Sequence, residues 1–394
     1  MAGHRSDNSS EFFHKETFLV LKYLGFWKPE EMSKWKSILY NIYSTLILTL
    51  FMTFGLFQFL GILLLNRPNQ KVFIQNIFIT LTTICVCFKS INWIHYRPKV
   101  VTILEMLKQH PFKCQTSKEC MIYQHFSSKI RRILILPRIY VMIVPLHYVV
   151  DQLFTTLPQR TLPLSAWLPY DYSTLSGQWL SSIYLGLGLY VGAQFEITYD
   201  ILFFELMMQI VGQVKILKNR FQLMMATLVK ANGTRDYFTK NHFLPEHVLF
   251  HSCVQYHIAI VRLARDINSI FAPIMMIQYL VTSLALSSTV YLMSETLILS
   301  REFLKLGGYW VFIFQEMLLL CYAAHRTYLE FDGIGDVLYN SDWIALSETT
   351  KQSVMLMMVN TKKPFVFNCV GMLKLDIEAF KKALMLAYSI YNIF

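Results

Sequence analysis

Charge is scarce in this chain. Only 15% of its 394 residues are Asp, Glu, Lys or Arg, where an average soluble domain carries about a quarter. That shortage, with 54% apolar residues and a mean hydropathy of +0.39, excludes a disordered protein and argues against a soluble enzyme. Paired cysteines are missing too. Cys85, Cys87, Cys114, Cys120, Cys253, Cys321 and Cys369 form no CxxC pair, so neither a zinc site nor a disulfide scaffold is expected. P-loop, HExxH, GxSxG and paired-carboxylate motifs are absent from any soluble context. We therefore expect no catalytic residues, no metal and no cofactor. The opening MAGHRSDNSSEFFHKE lacks the apolar run of a cleavable signal peptide, so the first apolar span is expected to direct targeting.

What is present is hydrophobic length. A membrane span needs about 20 mostly apolar residues. Ser37–Leu65 and Ile267–Ser294 contain no charge. Val72–Ile94 contains only Lys89, Ile133–Val150 only Arg138, and Leu306–Ala324 only Glu316. Trp179–Gly212 carries Glu196, Asp200 and Glu205, and Pro364–Phe394 is the weakest candidate. The chain reads as an all-α integral membrane protein of seven transmembrane helices. The formal charge of +11 is then read by position and predicts no nucleic acid. Residues 1–36, 95–132, 212–263 and 325–363 hold 25 Lys and Arg, against five in the alternate segments. The positive-inside rule puts the N-terminus in the cytoplasm and the C-terminus outside. The sequons at Asn8 and Asn232 then face the cytoplasm and are expected to stay unmodified.

That orientation is opposite to a G-protein-coupled receptor, whose Asp-Arg-Tyr and Asn-Pro-x-x-Tyr motifs are also missing. The halves show no inverted repeat of the kind transporters carry. Gln213–Val229 has apolar residues at helical spacing, and His247–Ile267 resumes that pattern into the fifth span. Ser341–Thr361 opens on an Asp/Ser cap signal. These segments predict a cytoplasmic helical anchor bundle. The organisation is a cytoplasmic segment (1–36), six spans with amphipathic extensions over 212–263 (37–325), an anchor helix region (326–363) and a last helix (364–394).

The C-terminal third carries Tyr339, Asp342-Trp343-Ile344-Ala345-Leu346, Met355, Lys363-Pro364, Gly371, Leu375, Phe380 and Tyr388-Ser389. Upstream lie Asp200-Ile201-Leu202-Phe203, HIAIVRLARDINSIFAP, Gln278-Tyr279-Leu280 and Leu168–Ser173 (LPYDYS). Together these resemble the insect odorant receptor family over nearly the whole chain. Ala387 departs from the Ser or Thr common before the Tyr-Ser pair. Residues 212–263 lack the long insertion of the shared olfactory co-receptor, so the chain resembles an odour-tuning subunit. Gustatory receptors are the nearest alternative family, but AYSIYNIF does not match their ending.

The resemblance implies a ligand-gated, non-selective cation channel in the plasma membrane of an olfactory neuron dendrite. Odour-tuned and co-receptor subunits form a heterotetramer there, with last helices around one pore, and a small volatile binds in the outer halves of spans two, three, four and six. On those halves the expected ligand-binding residues are Phe73, Phe78, His147, Tyr148, Tyr184, Leu187, Tyr190, Tyr309, Phe312 and Ile313, an aromatic and mostly apolar set. Each is also an ordinary core-packing residue. Trp343, Leu346, Met355 and Tyr388 are the expected subunit contacts. A helical membrane receptor or transporter without its own pore is the alternative from another class.

The last span can be argued from its charges. Lys374, Asp376, Glu378, Lys381 and Lys382 would each cost about 2.5–3.5 kcal/mol near the centre of a bilayer. At about 100° per residue, a helix over this stretch aligns Lys374, Glu378 and Lys382 with Met385, Ser389 and Ile393. That arc predicts a water-lined conduit for cations, with Ile393 at its gate. The other reading is a set of i,i+4 pairs at the membrane edge.

Overall fold

The structure is a computed structural model, described over residues 15–29, 32–64, 70–156, 162, 164, 166–233 and 246–391. Among these are nine α-helices: α1 Lys15–Tyr23, α2 Lys34–Leu64, α3 Gln70–Leu107, α4 Ser117–Thr156, α5 Leu175–Gly233, α6 Glu246–Ser294, α7 Arg301–Tyr339, α8 Glu348–Thr361 and α9 Ile377–Tyr391. The all-α membrane class is the one the hydropathy required. Helices α2, α3, α4, α6 and α7 are each long and apolar enough to cross a membrane.

Helix α5 is the axis of the bundle. Every residue from Gln194 to Val214 is buried, the pattern of a helix surrounded by other helices, and α4, α6 and α7 pack directly on it. Its start is set by the LPYDYS segment. Ser173 donates its backbone N–H (2.9 Å) and its hydroxyl (3.0 Å) to the Asp171 carboxylate, which holds that carboxyl below its ordinary range. Thr174 then caps the helix, accepting from Gly177 N at 3.2 Å. Against α2 the approach is close. A Cβ on Gly188 would stand 2.5 Å from the Phe54 ring, and one on Gly192 2.7 Å from Phe51, so a side chain at either position would displace a ring of α2.

Helices α5, α6 and α7 continue past their apolar portions into an anchor end, where α8 packs on α7. Helix α8 begins later than the cap signal at Ser341 predicts. Asp342 opens only a one-turn 3₁₀ segment, Trp343–Ala345, and Ser347 is the N-cap.

The last span differs from its expected form. No helix covers Pro364–Asp376; a short hairpin pairs Asn368 with Lys374 and Cys369 with Leu373, forming β1 (Asn368–Cys369) and β2 (Leu373–Lys374). Val370 (φ 53°) and Gly371 (φ 74°) take left-handed conformations that end any helix and make the reversal. Asn268 of α6 holds the hairpin by exchanging two 3.1 Å hydrogen bonds with the backbone of Asn368. Asp376 accepts from Ala379 N at 2.7 Å and starts α9. The helical arc therefore cannot be counted from Lys374, which lies in β2.

Candidate ligand cavity and its charged floor

Toward the end of the bundle away from the anchor, α2, α3, α4, α5, α6 and α7 enclose a cavity of about 170 Å³. Pockets for drug-sized ligands run roughly 300–1,000 Å³, so this space suits something smaller. Its wall is aromatic and aliphatic, including Phe51, Phe54, Phe78, Tyr148, Tyr309 and Phe312. Lys305 stands at its edge, in an ion pair with Asp151 of α4.

Phe78, Tyr148, Tyr309, Phe312 and Ile313 of the expected ligand residues line this cavity. Phe73, His147, Tyr184, Leu187 and Tyr190 do not line it. Helix phase explains the division. Phe73 is five residues before Phe78, Leu187 two before Leu189 and His147 one before Tyr148, so each is turned about 100–200° from a lining neighbour. Phe73, His147 and Leu187 are exposed. Tyr184 ties α5 to α2 instead, through a 2.8 Å hydrogen bond to Thr53 and a ring contact with Phe57. Phe51 and Phe54 of α2, with Gln278, Thr282 and Leu292 of α6, are absent from the sequence expectation. The glycines at 188 and 192 were the available signal for α2.

The floor is charged. Lys89 Nζ of α3 is fully buried and lies 2.8 Å from Glu196 Oε1, 2.8 Å from Asp200 Oδ1 and 3.4 Å from Glu316 Oε1. Gln278 Nε2 donates to Asp200 Oδ2 at 2.7 Å and to Glu316 Oε1. Each of these charged groups was conspicuous in sequence as an intramembrane ionisable residue, a default mark of function. A second cluster joins α4 to α5. Arg138 Nη2 lies 2.8 Å from Glu205 Oε1, and Thr17 of α1 donates to both Glu205 oxygens at 2.9–3.0 Å.

On α9, Ala379, Phe380, Ala383 and Ala387 are buried. Tyr279 of α6 donates to Ala379 O at 2.9 Å, and Phe314 of α7 meets Phe380 edge-on. Glu378, Lys381, Lys382, Met385 and Ser389 are exposed, as are Ile377 and Tyr388. Tyr388 thus lies off the face that packs within the chain. Ile393 falls outside the described residues. Met355 is exposed and Trp343 partly covered, but Leu346 is 5% exposed and belongs to the chain's own core.

The 7tm Odorant receptor family model matches residues 69–388. Odorant receptor Or2 of Anopheles gambiae is 24% identical over 141 residues, 36% of this chain and 37% of that receptor. The match thus takes in little more than a third of Or2. Odorant receptor Or1 of the same mosquito is 20% identical over 388 residues, 94% of this chain and 92% of its own length. The fold is similar to that of the insect olfactory receptor OR5 from Machilis hrabei, with a TM-score of 0.83, 16% identity and 96% of each chain covered. The structure of that receptor in complex with eugenol aligns with a TM-score of 0.82 and 17% identity, again over 96% of both chains. With the family model matched over most of its length, this chain, a multi-pass membrane protein and not an enzyme, belongs to the 7tm odorant receptor family.

Proposed function

We propose that this chain is an odour-tuned subunit of a ligand-gated, non-selective cation channel, binding a small volatile in the α2–α7 cavity. The observation that carries the reading is that cavity: about 170 Å³, aromatic in its wall and set among the apolar helices. The OR5 relative is described in complex with eugenol, a small aromatic volatile of the kind such a wall accepts. Cofactors have no part in it.

The pore belongs to α9 and to neighbouring subunits. Its exposed face carries Glu378, Lys381 and Lys382 beside Ile377, Met385, Leu386 and Tyr388. Lipid does not accept the charged half of that face, and one helix encloses nothing. A heterotetramer with co-receptor subunits satisfies both conditions, with Glu378, Lys382 and Ser389 toward the water column and Met355, Trp343 and Tyr388 toward partners. Ile393, four positions after Ser389 in the sequence, is this chain's share of the gate. The orientation is N-terminus cytoplasmic, C-terminus outside, in the plasma membrane of the sensory dendrite.

Expression with and without the co-receptor tests the channel reading. Little current is expected from the chain alone, and an odour-evoked cation current once the co-receptor is added. A robust response without the partner contradicts the heteromer, and surface protein that never conducts with it contradicts the channel. Epitope tags check the orientation. In intact cells a tag after Phe394 should be labelled and one before Met1 should not.

A further inference from the structure

The floor of the cavity holds more carboxyl groups than bases. Lys89 supplies one positive charge, while Glu196, Asp200 and Glu316 supply three carboxyl groups whose oxygens lie within 4.8 Å of one another. Two of the floor's polar atoms have no hydrogen-bond partner, Glu196 Oε2 and Gln278 Oε1. Both residues line the cavity, and Gln278 is only 3% exposed. The orientation of the Gln278 amide is fixed. Its nitrogen is committed to Asp200 and Glu316, so its oxygen is the end left over. Buried acceptors of this kind destabilise the fold when left unmatched.

The neighbouring hydroxyls cannot supply the missing donors. Thr82 donates to Phe78 O and Ile79 O, Thr83 to Ile79 O and Thr282 to Gln278 O, all within their own helices. Lys305, the other cation of the wall, is engaged by Asp151. Tyr309 Oη, beside Thr82, can accept as well as donate. The cavity therefore offers a carboxyl oxygen and an amide oxygen as unmatched acceptors at its floor, beneath aromatic walls.

Resting on the odour-receptor reading above, we propose that the preferred ligand is a small organic amine bound as its ammonium ion. The ammonium donates to Glu196 Oε2 and Gln278 Oε1, and the hydrocarbon body lies against Phe51, Phe54, Phe78 and Phe312. An ammonium group has three N–H donors and no acceptor, which matches two acceptors; an alcohol has one donor and no charge. Ring faces in the wall favour a cation further. An inorganic cation would use the carboxylates but has no need of the aromatic wall.

Phenethylamine, phenethyl alcohol and ethylbenzene share one body and differ in the group that reaches the floor. Two readouts are taken: current from cells expressing this chain with the co-receptor, and the thermal unfolding midpoint of the purified full chain. The amine is expected to act at a concentration at least about tenfold below the alcohol and to raise the midpoint most. In Glu196→Gln the amine-to-alcohol ratio should collapse toward one. Equal or better potency of the alcohol in the natural chain overturns the amine assignment while leaving the odour-receptor reading intact, and that comparison needs no variant to fold. Stabilisation by calcium chloride or sodium chloride but not by phenethylamine assigns the floor to an inorganic cation and also overturns it. If the amine stabilises the purified chain but evokes no current, the site stands and the channel reading falls. If no member of the set stabilises or activates surface-expressed protein, the amine assignment falls, and the odour-receptor reading is decided by the co-receptor experiment alone.

Discussion

Replacing Lys89 with Met should sharply reduce the amount of folded protein. Lys89 is fully buried and is the common partner of Glu196, Asp200 and Glu316, and its ammonium also sits 5.5 Å over the Tyr199 ring. Its loss leaves three carboxyl groups facing one another without a cation. Removing one partner of a buried ion pair costs about 3–5 kcal/mol, because the abandoned charge stays buried. Against a total stability of about 5–15 kcal/mol, that is a large share. Size-exclusion profiles of the tagged receptor should shift from a single included peak toward aggregate, and surface labelling should fall steeply. Adding Glu196→Gln and Asp200→Asn to Lys89→Met should recover part of the included peak, since two of the three abandoned carboxyl groups are then gone. Arg at position 89 keeps the charge but is bulkier in a fully enclosed position, so it should rank between Lys and Met. Normal accumulation and thermal midpoint of Lys89→Met would sink the view that this lysine is the keystone of the floor.

The cluster also marks how far sequence reasoning reaches. Lys89, Arg138 and Glu316 each stand out as the single charge of an apolar segment, and Glu196, Asp200 and Glu205 as three charges in one span. Burial with no bilayer tolerance then requires partners. Which charge meets which is invisible, since Lys89 finds Glu316 across 227 positions of sequence and Asp200 across 111. Only the packing order of α3, α4 and α5 decides that Lys89 takes Asp200 while Arg138 takes Glu205.

Helix phase is less legible in the sequence than span limits. Span limits follow from hydropathy, but which side of a span faces a cavity depends on its rotation about the axis, and an error of one residue turns a side chain by about 100°. His147 and Tyr148 are that case. The hairpin before α9 departs from the expected helix for a different reason. Pro364-Phe365-Val366-Phe367 is a short apolar run, and such runs do not separate strand from helix by periodicity. The chain did carry a warning in Gly371 and in Asp376, whose carboxylate caps α9.

Filling the cavity should separate ligand response from folding, in the opposite direction to Lys89→Met. Thr282 of α6 lines the cavity and is 4% exposed. Its hydroxyl donates only to Gln278 O (2.6 Å) and Tyr279 O (3.2 Å) of its own helix, so no contact between helices is lost with it. Phenylalanine at this position places a ring in a space of only about 170 Å³ and leaves little room for a ligand of comparable size. Cavity-filling substitutions commonly add about 0.5–2 kcal/mol of stability, because apolar atoms gain contacts that the void denied them. Thr282→Phe should therefore reach the surface as well as the natural chain and unfold at the same temperature or slightly above it. The concentration of any volatile needed for half-maximal current should rise at least about a hundredfold, a loss of about 2.7 kcal/mol in binding. Leucine, which is smaller, should give an intermediate loss that grows with ligand size. If Thr282→Phe folds normally and responds with unchanged potency, the volatile binds elsewhere in the receptor. If it fails to fold, the cavity is too tightly walled to admit a ring, and the graded series through Val and Leu reads the same dependence.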